Sequence, residues 1–245
     1  MKRIAVTLIA TNKYRQFVQP LLEGIEKNFL RNHKVDVHLF TNELFPTLDI
    51  GRITVIQHTI PAYRFPEATL LRYRIFSDHK EYLKNYDFLF YSDVDMEICD
   101  EVGNEILQGD VVAVRHPGFY YNNGWGSGGN DPKSKSYISE EFHKKYWAGG
   151  FQGAQADKYL QICELLAAGI DQDSNNNIMA IYHDETFFNW FLNYGISVHF
   201  PEWKLIELLP SYCMPPSLHQ RQMWQIDHLP AKILCLDKNH NEIRS

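Results

Sequence analysis

Apolar runs alternate with amphipathic stretches through the first half of the chain. Ile4 to Ala10 is a continuous apolar run with one threonine, the pattern of a strand buried on both faces. Phe17, Val18, Leu21, Leu22, Ile25 and Phe29 then recur at helical spacing, which predicts a helix over Phe17 to Leu30. Val35 to Phe40 and Ile53 to Ile60 are strand-like, and Glu67 to Leu83 reads as a second helix with Pro66 just before it. Asp87 to Tyr91 is a short aromatic strand and Asp110 to Arg115 another. Tyr121 to Ser136, with Gly124, Gly126, Gly128, Gly129 and Pro132, predicts a mobile loop, either a linker or a lid. Helical patterns return at Gln155 to Ala168 and Asp184 to Tyr194, and strand-like pieces follow at Ile196 to Phe200, Lys204 to Leu209 and Ala231 to Leu236. The alternation predicts an α/β domain with a mixed, mostly parallel sheet flanked by helices.

Length and charge narrow the picture. The chain has 245 residues, no internal repeat and no composition break, which suits one domain over 1–245. A net charge of −6 argues against a nucleic-acid partner, because phosphate-driven binding needs a basic face. Cys99, Cys163, Cys213 and Cys235 form no CxxC pair, so no zinc knuckle or dithiol motif is readable from their spacing. Sparse cysteines and the lack of an Asn-x-Ser/Thr sequon fit a reducing compartment. A membrane-spanning helix needs roughly 20 apolar residues, and Ile4 to Ala10 is far shorter. Thr11-Asn12-Lys13-Tyr14 follows it rather than a small-residue cleavage site, so the expectation is a soluble, cytoplasmic protein without signal peptide or transmembrane segment.

Four stretches carry candidate chemistry. Phe88 to Tyr91 runs into Ser92-Asp93-Val94-Asp95, two carboxylates at the end of a buried strand, where α/β sheets bind ligands. Such a pair can hold a divalent oxygen-seeking ion, or it can be an acidic turn. Trp147-Ala148-Gly149-Gly150-Phe151 reads as a turn, or as a place where backbone approaches a flat ligand; it lacks the GxGxxG and P-loop spacings. His183-Asp184-Glu185 is not HExxH, and acids at a helix start need no function. His116-Pro117-Gly118-Phe119-Tyr120 follows a strand, and a lone histidine there is commonly structural.

In this order, together with Val102-Gly103-x-Glu105-Ile106-Leu107 and Lys238-Asn239-His240, these stretches resemble the family 6 glycosyltransferases, the family of the blood-group A and B transferases. The resemblance runs from Ile4 to Arg244. It implies a GT-A fold, with a Rossmann-like nucleotide- and metal-binding half over 1–115. The other half, 116–245, would hold the donor sugar and acceptor and end in a closing tail. It also implies transfer of galactose or N-acetylgalactosamine (GalNAc) from a UDP-sugar, with retention, in α-1,3 linkage. The acceptor would be a galactose-containing, fucosylated oligosaccharide or glycolipid.

Matched by position, Ile9, Ala10, Thr11 and Tyr14 fall at the uridine turn, with the tyrosine ring on the base. Arg72 and Asp184 match donor-sugar contacts. Asp93 and Asp95, flanking Val94, match ligands of Mn²⁺, with Mg²⁺ the alternative. Lys238 and Arg244 match cations on the diphosphate. Glu185 matches the candidate nucleophile and, with His116, an acceptor contact; Ser127 and Glu207 fall near further acceptor positions. Ala148, Gly149 and Gly150 match the positions facing the sugar's C2 substituent, and their small size predicts GalNAc over galactose.

This chain departs from the family at several points. Ile9 replaces a common phenylalanine and Tyr182 a common tryptophan; Gln152, Ala154 and Gln155 break a usual glycine pair. The loop lacks a Tyr-Glu-Arg-Arg run, and no amino-terminal anchor or stem precedes the domain, so a bacterial or viral soluble enzyme is expected. The rival readings are a non-catalytic sugar- or nucleotide-binding protein on the same scaffold and a metal-dependent phosphohydrolase.

Overall fold

The computed structural model describes residues 1–121, 124–126 and 129–244. In chain order the strands are β1 (Arg3–Ala10), β2 (Lys34–Thr41), β3 (Thr54–Thr59), β4 (Phe88–Ser92), β5 (Met96–Ile98), β6 (Val111–Arg115), β7 (Trp147–Gln155), β8 (Leu205–Leu208) and β9 (Ile233–Cys235). The helices are α1 (Val18–Asn28), α2 (Glu67–Leu70), α3 (Arg72–Asp78), α4 (Lys80–Leu83), α5 (Ala156–Asn175), α6 (His183–Trp190), α7 (Ile196–His199), α8 (Leu218–Met223) and α9 (His240–Ile243). Seven strands form one sheet in the order β3-β2-β1-β4-β7-β6-β8, and β5 pairs with β9 apart from it. All contacts among β3, β2, β1 and β4 are parallel, and so is β6 with β8; β7 runs antiparallel to both its neighbours. The fold is therefore the expected α/β sheet, with one reversed strand, β7, beside its central strand β4.

Side chains of β1 alternate between two cores, which explains its continuous apolar run. Ile4, Val6, Leu8 and Ala10 face the layer containing α1, β5 and β9, while Ala5 and Ile9 face the layer of α3, α5 and α6. Thr7, fully buried, donates its hydroxyl to the Phe90 carbonyl at 3.1 Å. The chain leaves β1 toward β2 on one side and returns as β4 on the other. Their carboxyl ends thus flank a topological switch point, where such sheets leave a crevice.

Four expectations change. Trp147 to Gln155 is no turn but the interior strand β7, because its small residues let it pack against Phe90: a Cβ on Gly153 would come within 2.2 Å of that ring. Ile196 to Phe200 is helical over Ile196–His199, since the chain continues from α6 through a π-helical turn at Phe191–Gly195. Glu67 to Leu83 is broken into α2, α3 and α4, with Leu71 and His79 as the joints. The far end of the Tyr121 to Ser136 loop is tied down, because Ser134 and the Lys135 N–H both donate to the buried Asp173 carboxylate.

Candidate active site

A cavity of about 460 Å³ opens at the carboxyl ends of β1 and β4. That volume suits a nucleotide-sized ligand. Nine sequence-nominated residues line it: Ile9, Thr11, Tyr14, Arg72, Asp93, Val94, Asp95, Lys238 and Arg244. Ala10 is fully buried beneath the floor. The turn after β1 is held in shape by its polar residues. Thr11 and Asn12 side chains both donate to the Tyr63 carbonyl, at 2.8 and 2.9 Å, and Asn12 adopts a left-handed φ of 54°. Asparagine tolerates that region better than most residues.

The closing wall comes from residues that the sequence reading passed over. Tyr63, Phe65, Ala68 and Thr69 face the cavity from the segment before α3. The Arg244 guanidinium lies 3.6 Å from the centre of the Phe65 ring, and Lys238 lies 5.6 Å from that of Tyr14. Lys13 donates to the Glu242 carbonyl at 2.8 Å, and Ile243 is buried, so α9 is docked over the cavity. Cation–aromatic stacking needs an aromatic near a basic tail in space, a relation invisible when Phe65 and Arg244 lie far apart in sequence.

Asp93 sits where β4 ends. Its Oδ1 accepts from the Tyr91 hydroxyl and from Arg72 Nη2 at 3.3 Å, while its side chain stays 38% exposed. Asp95 is buried and ion-paired with the Lys238 ammonium. Burial pulls the Lys238 ammonium downward from its usual range.

β7 joins this donor side to a second acidic centre. Between Ala113 and Val114 of β6 the register jumps from Gln152 to Ala148, so Gly149, Gly150 and Phe151 bulge out of that pairing. Bulges commonly re-aim backbone beside active sites. Here the Gly150 carbonyl accepts from the Asp93 N–H at 2.7 Å, the Gly149 carbonyl accepts from Arg72 Nη1 at 3.0 Å, and the Gly149 N–H donates to Glu185 Oε2 at 2.8 Å. A Cβ on Gly149 would stand 3.2 Å from Glu185 Cβ. One on Gly150 would stand 2.7 Å from Met96 Cε and 3.2 Å from Asp93 Oδ2. The glycines permit this close approach; protein atoms already fill the space a methyl would take. Ala148 points into the core, and neither it nor the glycines line the donor cavity.

α6 begins at His183, in a left-handed φ of 50°, and carries Asp184 and Glu185 in its first turn. Strained backbone of this kind persists where the surroundings over-determine it. Asp184 is 1% exposed and pairs with Arg72 Nε at 3.0 Å. Burial pushes the Asp184 carboxyl up to about 7, with Arg72 pulling against it. Burial likewise pushes Glu185 up to about 7, against the Gly149 N–H that stabilises its charge. Burial disfavours the Arg72 charge, but Asp184, Tyr91 and Asp93 more than offset it and hold the guanidinium ionised. Perturbed acids clustered beside a cavity are a mark of functional sites.

On the outer side, His116 caps its turn by accepting from the Gly118 N–H at 3.1 Å. Burial lowers it to about 4, so it is neutral. Its ring meets Phe119, Tyr146 and Trp224 at 4.9, 5.5 and 6.4 Å. Tyr146 connects it to the acids, its phenol pushed up by burial and by the Glu185 carboxylate. Glu207 is taken up by ion pairs with Arg115 (3.2 Å) and Lys145 (2.6 Å). Ser127 lies outside the described residues.

A mostly parallel sheet with a crevice at its switch point, an acidic pair at the crevice and buried acids behind it is the arrangement of an α/β enzyme. The chain belongs to glycosyltransferase family 6, whose model matches residues 2–245, and the fold is of the GT-A type. It is similar to histo-blood group ABO system transferase 1 of Rattus norvegicus, 29% identical over 251 residues, covering 99% of this chain and 68% of the relative. It is also similar to globoside alpha-1,3-N-acetylgalactosaminyltransferase 1 of Homo sapiens, 28% identical over 250 residues, 95% of this chain and 68% of the relative. The O-antigen biosynthesis glycosyltransferase WbnI of Escherichia coli is 22% identical over 201 residues, 78% of this chain and 82% of the relative. The protein is a glycosyltransferase, which implies a nucleotide-sugar donor and a glycan acceptor. No helix among the described residues is long and apolar enough to cross a membrane.

Proposed function

We propose that the protein transfers GalNAc, in preference to galactose, from its UDP-sugar to a galactose unit of a fucosylated glycan, with retention and in α-1,3 linkage. The observation that carries this reading is the convergence of Asp93, Lys238 and Arg244 on one nucleotide-sized cavity, whose lining Arg72 donates to the Gly149 carbonyl while the Gly149 N–H holds Glu185 behind it. The preference for GalNAc is supported by the names of the globoside relatives rather than by empty space beside Gly150.

Asp93 and Asp95 fit a divalent ion in part. Asp93 keeps an exposed face, and Asp95 must exchange Lys238 for the ion. Among the described residues no third His, Cys, Asp or Glu joins them, so an ion there would keep several positions for the donor's oxygens. Mn²⁺ or Mg²⁺ bound to these carboxylates supplies charge neutralisation for the departing diphosphate. Tyr14 packs on the base, and Arg244 and the released Lys238 face the diphosphate. Glu185, oriented by the Gly149 N–H, either attacks the anomeric carbon or stabilises its positive charge while the acceptor approaches from the front. Neutral His116 and the aromatic rings around it hold the acceptor sugar.

The test incubates the protein with UDP-GalNAc or UDP-Gal, Mn²⁺ and fucosyl-galactose, and reads the product's anomeric configuration by NMR. An α-linked trisaccharide formed faster from UDP-GalNAc is expected. Free sugar alone would indicate a hydrolase, and UDP binding without turnover a binding protein; either defeats the reading.

A further inference from the structure

Beneath the acidic pair lies a feature that transfer chemistry does not use. Cys213 and Cys235, 22 residues apart in sequence, bring their sulfurs to 3.6 Å. Cys213 is buried and Cys235 half-buried. Two backbone runs hold them side by side: the Met214 N–H donates to the Ile233 carbonyl at 2.9 Å and the Cys235 N–H to the Met214 carbonyl at 2.8 Å. Cys235 pairs with Met96 across β5 and β9, and the next residue, Leu236, donates its N–H to the Asp95 carbonyl at 2.8 Å. A Cβ on Gly150 would come within 3.4 Å of Cys213 Sγ. The two thiols therefore sit between the strand that carries Glu185's backbone partner and the root of the tail that carries Lys238.

We propose that Cys213 and Cys235 form a reversible dithiol–disulfide switch, oxidised by a low-molecular-weight disulfide of the glutathione class. The Cys235 thiolate attacks one sulfur of the small disulfide, releasing one thiol and leaving a mixed disulfide on Cys235. Cys213 then loses its proton to solvent and attacks the Cys235 sulfur. An internal disulfide forms and the second small thiol leaves, so two protein thiols and one disulfide become one protein disulfide and two small thiols. Bond formation closes the sulfurs from 3.6 Å to about 2.05 Å, which draws β9 toward residues 211–214. That movement reaches Asp95 through Leu236. It also closes a covalent loop around α8 and Trp224, beside His116. Cys235, the more exposed partner, is the entry point; Cys213, pushed up by its bond to Cys235 and by burial, stays protonated until the mixed disulfide forms.

The chemistry can be read without any sugar. The exposed Cys99 is first replaced by serine to prevent linkage between molecules, and the protein is equilibrated with defined ratios of reduced and oxidised glutathione. The expected result is loss of the mass of two hydrogen atoms, a Cys213–Cys235 cross-linked peptide, and a higher thermal midpoint that dithiothreitol reverses. Cys235→Ser and Cys213→Ala should each abolish all three; Cys235→Ser serves alone if the buried substitution does not fold. Transfer by the oxidised form should fall by about tenfold, because catalytic supports displaced by an ångström cost that much or more. Two free thiols persisting at high oxidised glutathione would overturn the proposal, and so would a linkage that leaves the turnover of an active enzyme unchanged. A reduced protein inactive with every donor bears on the proposed transfer reaction instead.

Discussion

Two buried polar clusters, one within the parallel half and one spanning both halves, have opposite characters. In the parallel half, His38 and His58 stack at 5.1 Å and are hydrogen-bonded at 2.9 Å, with Tyr86 bridging His38 to Asp36. Phe40, His79 and Tyr82 close around them, and none of these residues lines the donor cavity. Burial lowers both His38 and His58 to about 4, so they are neutral near pH 7. In the other cluster Arg72, Asp184 and Glu185 meet around Gly149, and burial raises the carboxyls to about 7. The same cause, water withdrawn from a titratable group, leaves one cluster neutral and closed and the other poised at the edge of a cavity. A neutral cluster can complete a core, whereas paired buried charges cost free energy, and perturbed acids of that kind cluster at functional sites.

The contrast is tested most sharply by removing charge at Glu185. Glu185→Gln should lower turnover by about 10²–10⁴-fold with UDP affinity nearly unchanged, whereas His58→Gln should leave turnover near that of the wild type. Comparable losses in both would erase the distinction. Arg72→Met leaves Asp184 buried without a partner and should cost about 3–5 kcal/mol in denaturant unfolding. A variant as stable as the wild type would mean that Asp184 does not depend on that pair. Asp95→Ala, or EDTA on the wild type, should cut transfer by about 10²–10³-fold and weaken UDP binding, unlike Glu185→Gln. Full activity in EDTA would reject a metal at Asp93 and Asp95.

Deleting Asn239 to Ser245 removes the docked α9 and Arg244, and should slow turnover by about tenfold with little change in thermal midpoint, as closing segments do. The smallest effect is in pH. Carboxyls raised from 3.8 and 4.5 to about 7 take up protons on folding, so their contribution is full below about pH 4 and lost as pH rises through 7. Histidines lowered from 6.5 to about 4 release protons on folding, so theirs is full above pH 6.5 and lost as pH falls toward 4. The two arms offset each other over one window. In urea titrations between pH 4.5 and 6.5, Glu185→Gln should make stability rise more steeply with pH, and His58→Gln should make it fall.

Local pattern revealed the parallel half well. The apolar runs of β1, β2 and β4 are long, β-rich and bounded, and the carboxylates follow β4 directly, so strand and site were legible together. β7 was not, because Gly149, Gly150 and Gly153 argue locally for a turn; only the Phe90 ring and the Asp93 amide, contributed by another strand, make small residues the right ones there. Ile196–His199 misled in the opposite direction, since its alternation suits a strand but α6 continues into it through the π-helical turn at Phe191–Gly195.

By itself the sequence determined the class of fold, the strands of the parallel half and the identity of the charged groups, because these follow from periodicity and from residue chemistry along one strand or helix. Only the tertiary structure decided which groups meet. It stacked Arg244 on Phe65, lodged Arg72 between Asp93 and Asp184, bulged β7 so that one residue, Gly149, touches both Arg72 and Glu185, and set Cys213 against Cys235. Those relations, like the pKa shifts they produce, depend on distance and exclusion of water between segments far apart in the chain, and no local pattern encodes either.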